Sequence, residues 1–173
     1  MLRRFVLALL LGSLGGAMCL GLGGCSKPAL PDTTVRAATT EDLAAFRADL
    51  GERFTAEQLQ PFDTALLELK LDAMNRGVAA AADREQQVQA AVNGQTVRAV
   101  EILGWKARRT RLLGEITFMS GLMESDLKAQ QRTAATGTPA SVTTHIQNEQ
   151  DILARLHRDL TATEQELTGL AAP

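Results

Sequence analysis

Two histidines, a cluster of arginines and two cysteines are the residues here whose types and spacing could do chemistry. His145 and Glu149 stand four apart, which on a helix puts both on one face as two potential metal ligands. Two ligands do not make a site. No cysteine lies beyond Cys25, and His157 is about three turns further along. His157 has no carboxylate three or four residues away, so nothing nearby on its helix would orient it as a general base. Lys106, Arg108, Arg109 and Arg111 form the densest basic cluster, a possible patch for anionic lipid or a cell-wall polymer. On a helix they spread over about 200° of arc, which reads as a solvated stretch with local ion pairs and not as one face. There is no recognisable Ser-His-Asp set, phosphate loop or pair of motif carboxylates, and Gly94, Gly104, Gly114 and Gly121 occur singly. No catalytic, cofactor-binding or metal-binding residue is expected, and the chain is read as a non-enzyme.

Cys25 is the residue with a definite expected reaction. It closes the opening stretch MLRRFVLALLLGSLGGAMCLGLGGC. Arg3 and Arg4 give a short positive start, Phe5 to Leu11 an apolar core, and small residues follow, which is the layout of a secretory signal. Leu22-Gly23-Gly24-Cys25 resembles the lipobox of bacterial lipoprotein precursors. The resemblance implies that diacylglycerol alkylates the Cys25 sulfur and that a peptidase then cuts between Gly24 and Cys25. A nucleophilic sulfur is what thioether formation needs, and the two glycines leave the bond to be cut sterically open. Cys19 is the other candidate, but Met18 precedes it and no branched apolar residue stands three back. An uncleaved membrane helix over Phe5 to Gly24 has about the right length, yet six of its residues are glycine, gathered toward the processed end. Arg3-Arg4 hints at a twin-arginine route, but the neighbouring residues fit general secretion better. Attachment through two or more acyl chains is stable where one is reversible. In the resembled family the residue after the lipidated cysteine helps sort the protein between membranes. Here it is Ser26 and not Asp, which implies the periplasmic face of the outer membrane in a two-membrane organism.

Removing residues 1–24 deletes Arg3 and Arg4 from 18 basic residues and leaves all 20 acidic ones, so the mature chain carries about −4. That argues against nucleic acid as a partner. Cys19 is lost and Cys25 acylated, so no disulfide or cysteine metal site is available. The 149 residues that remain suit one domain. They are rich in Ala, Leu, Gln, Glu and Arg, have no Tyr and show no strand-like alternation, so the class is all-α.

The organisation expected is a cleaved signal over 1–24, a flexible tether over 25–39 and a single helical domain over 40–173. Pro28 and Pro31 and the lack of periodicity mark the tether, whose reach would be roughly 45 Å. Thr40 caps a short helix carrying Leu43, Phe46 and Leu50 and stopped by Gly51. Thr55-Ala56-Glu57-Gln58 is a capping box opening a helix to about Arg76, with Pro61 inside it and Gly77 as the left-handed stop. Phe62, Leu66, Leu69 and Ala73 make its apolar stripe, and Leu59, Leu67, Leu71 and Met74 widen it enough to meet more than one neighbour. Residues 30–75 resemble the helical module of short bacterial lipoproteins of unknown function, on the proline-aspartate-threonine start and on Glu57, Phe62 and Ala65. The resemblance carries no catalytic residues. Asp83 caps a short helix to Val92, Asn93-Gly94 turns the chain, and Thr96 caps the next helix.

That next helix, about 97–132, and a last one, about 139–170, are read as a long antiparallel hairpin. Pro139 suits the first helical position. Val142, Ile146, Glu149, Leu153, Leu156, Leu160, Thr163, Leu167 and Leu170 keep an unbroken heptad alternation, apolar at seven of nine positions. Ile102, Trp105, Arg109, Leu112, Ile116, Met119, Met123, Asp126 and Gln130 keep the same alternation in the preceding helix, apolar at six of nine. A fold about Thr136 makes partner numbers sum to about 272, and both series obey that rule at every layer. Arg109 then lies opposite Thr163, in reach of Glu164 or Glu166. Leu113, Phe118, Leu122 and Leu127 fall off the seam and are expected to be covered by the helices of residues 40–92. Gly114 and Gly121 are read as points of close helix approach, and Met119 and Met123 as core. The expected role is that of a lipid-anchored envelope protein, structural or protein-binding. It would contact the membrane through the lipid on Cys25 and have an envelope protein as a possible partner. An alternative is an accessory lipoprotein cradling a partner's peptide between its helices, by analogy with small helical secretin-escorting lipoproteins. The third is an envelope hydrolase or metal-binding enzyme, which would need a buried polar cluster.

Overall fold

A computed structural model describes residues 29–135 and 137–172. The signal, Gly24 and Cys25 lie outside the described residues, as does Thr136 at the expected fold of the hairpin. A 3-10 turn over Leu30–Asp32 leads into five helices: α1 (Thr40–Gly51), α2 (Ala56–Asn75), α3 (Ala81–Val92), α4 (Val97–Thr133) and α5 (Ala140–Ala171). The fold is all-α, with the long hairpin of α4 and α5 at its centre, α2 packed against α4, and α1 and α3 packed against α2 and each other.

Local chemistry sets the helix starts. Thr39 and Asp42 form a full capping box on α1, one residue before the cap expected at Thr40. Thr55 and Gln58 form the expected box on α2, and the Thr96 hydroxyl accepts the Ala99 N–H on α4. α2 runs through Pro61 without a break. α3 starts at Ala81 with no side-chain cap, so Asp83 sits in its first turn, where a negative charge suits the helix dipole. Pro139 is the residue before α5 and not its first. Gly77 (φ 88°) and Gly94 (φ 78°) take the left-handed conformation that ends α2 and turns the chain from α3 into α4.

The hairpin keeps the register that its heptads predict. Arg109 Nε donates to Glu164 Oε1 at 3.1 Å, and His145 Nδ1 lies 3.7 Å from Asp126 Oδ2. Nearer the other end, Arg98 Nη1 donates to the Ala172 carbonyl at 3.3 Å. Their numbers sum to 273, 271 and 270, around the expected 272. Leu112, Ile146, Leu153, Leu156 and Thr163 are buried along the seam.

The main core occupies one pole of the molecule, where α1, α3 and much of α2 surround the first turns of α4. Phe46, Leu50, Leu59, Phe62, Ala65, Val88, Val92, Val97 and Val100 fill it, with Phe46 edge-on to Phe62 at 6.1 Å. Val35 and Ala37 belong to the same core, each 1% exposed. The flexible tether expected over 25–39 is thus corrected over its described part. Val35 N donates to the Gln95 carbonyl at 2.8 Å, Gly94 N to the Val35 carbonyl at 2.9 Å and Val97 N to the Thr33 carbonyl at 2.9 Å. Ala37 N donates to Asn93 Oδ1 at 2.9 Å. The physical reason is a short alternation, Thr33, Val35 and Ala37 inward, that pairs with the α3–α4 turn instead of continuing any helix.

Two further expectations fail on α4. A Cβ at Gly114 or Gly121 would meet nothing within 4 Å, so neither is a point of close approach. Gly104 is: its Cβ would fall 2.3 Å from Ala65 Cα, because α2 crosses α4 there almost backbone to backbone. Leu113, Phe118 and Leu122 are exposed and not covered by the residue 40–92 helices. α2 runs alongside α4 in the same direction, from Ala65 at Gly104 to Met74 near Phe118, and ends at Asn75. α4 continues to Thr133, roughly 22 Å beyond Phe118 at 1.5 Å per residue.

Candidate functional site

A cleft opens where α2 runs out. Leu71, Met74 and Asn75 of α2 form one wall, and Arg111, Gly114, Glu115 and Phe118 of α4 the other, around a volume of about 470 Å³. Phe118 is 65% exposed, Met74 49% and Leu122, one turn further along, 41%. Phe118 and Leu122 continue the stripe of α4 that α2 covers nearer the pole. Bare Gly114 keeps the floor open. Fully burying side chains of this size contributes about 1.5–3 kcal/mol each, so the cleft is a surface that gains from being covered.

An ion-pair network stiffens its pole-ward end. The Glu68 side chain, 5% exposed, accepts from Arg111 Nε at 3.0 Å and Nη2 at 2.8 Å, and from Arg108 Nη1 at 3.4 Å. Arg111 also donates to Glu115 at 2.7 Å. The hydrogen bond to Glu68 is the largest cause holding the Arg111 guanidinium above its ordinary value, against desolvation and with Glu115 adding to it. Arg108 stacks over Trp105 at 5.5 Å. The basic cluster is therefore not solvated throughout: Arg108 and Arg111 turn inward to Glu68, while Arg109 crosses to α5. Glu68 lies off the apolar stripe of α2, so the sequence carries no signal for its burial.

The histidines do not converge. His145 faces Asp126 instead of sharing a ligand with Glu149, and its side chain is largely exposed. Glu149 Oε2 is buried without a hydrogen-bond partner. His157 is exposed and its carbonyl accepts from Thr161 Oγ1. No group of three or more His, Cys, Asp or Glu side chains among the described residues is placed to hold a metal. Met119 and Met123 are half-buried on the α5 seam, and Met74 is the methionine that lines the cleft. A second depression of about 490 Å³ lies between α1 and α2, but its walls are tied together by Arg47 and Asp63 at 2.6 and 2.7 Å, and Leu67 is its one large apolar side chain.

Glu101 is the buried carboxylate outside this network. Burial raises its carboxyl above the ordinary value, with Arg98 opposing and Glu166 adding to the shift. The folded state then holds the proton more tightly than the unfolded chain, so stability falls as pH rises from the ordinary carboxylate range through the raised folded value. Glu101→Gln is expected to raise the Tm near pH 7, with the gain vanishing below about pH 4; thermal unfolding across pH checks it.

No family model matches the chain, and neither a curated protein nor a solved structure matches it. No helix among the described residues is long and apolar enough to cross a membrane.

Proposed function

We propose that this chain is a lipid-anchored, non-enzymatic protein of the bacterial cell envelope, moored through acylated Cys25, that binds an amphipathic helix of a partner protein in the α2–α4 cleft. The mooring is supported by the positive start, short apolar core and Leu22-Gly23-Gly24-Cys25. Ser26 favours the periplasmic face of an outer membrane. The binding role rests on one observation: α4 outruns α2 and carries Phe118 and Leu122 uncovered on the face that α2 covers further back. An occupant with apolar residues at helical spacing would extend the α2–α4 packing in kind, which is helix-in-groove recognition. Met74 gives the cleft an adaptable wall.

A photo-crosslinking residue at Phe118, introduced in cells, is expected to give a discrete adduct that the same residue at exposed Gln165 on α5 does not. Phe118→Gln should abolish a crosslink from Met74 while changing stability by no more than about 0.5 kcal/mol, since Phe118 is mostly in solvent. Equal adducts at 118 and 165, or a Met74 crosslink unaffected by Phe118→Gln, would refute the cleft as the binding site.

A further inference from the structure

Granted the acylated Cys25, the packing of residues 29–37 decides which end of the molecule meets the bilayer. We infer that the pole built from the Leu30–Asp32 turn, Thr33–Val35 and the Asn93–Thr96 turn is apposed to the lipid headgroups, and that the far end of the hairpin, at Thr133 and Pro139, points away from them. This rests on the mooring proposed above and adds an orientation to it.

Only Ser26, Lys27 and Pro28 separate Cys25 from Ala29. Four steps of extended chain reach at most about 14 Å, against the roughly 45 Å that a tether to Thr39 would allow. The attachment point is fixed on the fold: Thr33 Oγ1 donates to the Ala29 carbonyl at 3.0 Å, and Val97 N donates to the Thr33 carbonyl at 2.9 Å. Ala29 therefore sits beside the first turn of α4, where the end of α5 also lies through Arg98 and Ala172. α4 is 37 residues long, so its far end stands roughly 54 Å from that pole, several times the reach of the link.

A short link alone would let the hairpin lie flat. Charge does not draw it down: residues 101–172 carry nine acidic and eight basic side chains, about −1, so an anionic bilayer offers the hairpin no net attraction, while the acidic excess of about −4 lies in residues 29–100, which the short link holds at the surface. Standing upright, the protein presents the cleft at Gly114 to Phe118 roughly 25–32 Å above the pole, as counted along α4. A partner must then meet it from the aqueous side and not from within the membrane.

The mature chain has no cysteine but Cys25, so single cysteines report position cleanly. Full-length protein is lipidated in cells and reconstituted into vesicles of phosphatidylethanolamine and phosphatidylglycerol carrying nitroxide-labelled headgroups. A fluorophore on Gln95→Cys is expected to be quenched severalfold more than one on Ala135→Cys. Equal quenching at the two positions, or stronger quenching at 135, overturns the orientation while the mooring survives. Protein that fails to float with the vesicles, or a Cys25→Ser form that floats equally well, removes the mooring and the orientation with it.

Discussion

Gly104→Ala destabilises the fold by about 2–4 kcal/mol, whereas Gly114→Ala and Gly121→Ala, on the same helix, each stabilise it by about 0.5–1 kcal/mol. The opposite signs follow from one geometric difference. At Gly104 the new methyl would meet Ala65 Cα at 2.3 Å, its Cβ at 2.4 Å and its carbonyl oxygen at 2.7 Å. These are backbone or near-backbone atoms that cannot rotate away, so α2 must be pushed off α4. At Gly114 and Gly121 the methyl meets nothing, and what remains is the helix propensity of alanine over glycine. Urea unfolding followed by helical circular dichroism measures all three. A neutral Gly104→Ala would show that α2 and α4 are not in this contact.

Glu68→Ala produces a loss of about 2–3 kcal/mol by a different route, leaving Arg108 without its carboxylate and Arg111 with Glu115 alone at the α2–α4 interface. Removing one member of such a network is costly because the remaining charges have been taken out of water. Replacing Glu68 and Arg111 together with methionine should therefore cost far less than the sum of the single changes. Added salt should barely alter the Glu68→Ala loss. Breaking Arg109–Glu164, where both side chains are about half exposed, should cost under about 1 kcal/mol and shrink with salt. A double-mutant cycle measured at two salt concentrations separates these cases.

How far the sequence carries the fold depends on the kind of signal. The α4–α5 hairpin was legible because the heptad alternation and the turn position are independent readings of one register, and Arg109–Glu164 then follows. The caps of α1, α2 and α4 were legible to within a residue because they act on their own helix, whereas Asp83, expected to cap α3, lies in its first turn behind an uncapped start at Ala80. Contacts between helices distant in the chain were not. Gly104 looks like Gly114 and Gly121 in sequence, and which of them meets Ala65 is set by how α2 crosses α4. Glu68 reads as an outward acid until two arginines from another helix close over it. Val35 and Ala37 alternate over too few residues to register as a period, so their pairing with the Asn93–Gln95 turn was hidden and the segment read as a tether. The exposure of Phe118 and Leu122 does have a signal in the sequence: a helix of 20 residues cannot cover one of 37.

The orientation and the envelope address both require that lipid be attached at Cys25. Cells fed radiolabelled palmitate and expressing wild-type or Cys25→Ser protein test that directly. The account predicts label in the wild-type band and none in the Cys25→Ser band; an unlabelled wild-type protein, or equal label in both, would contradict it.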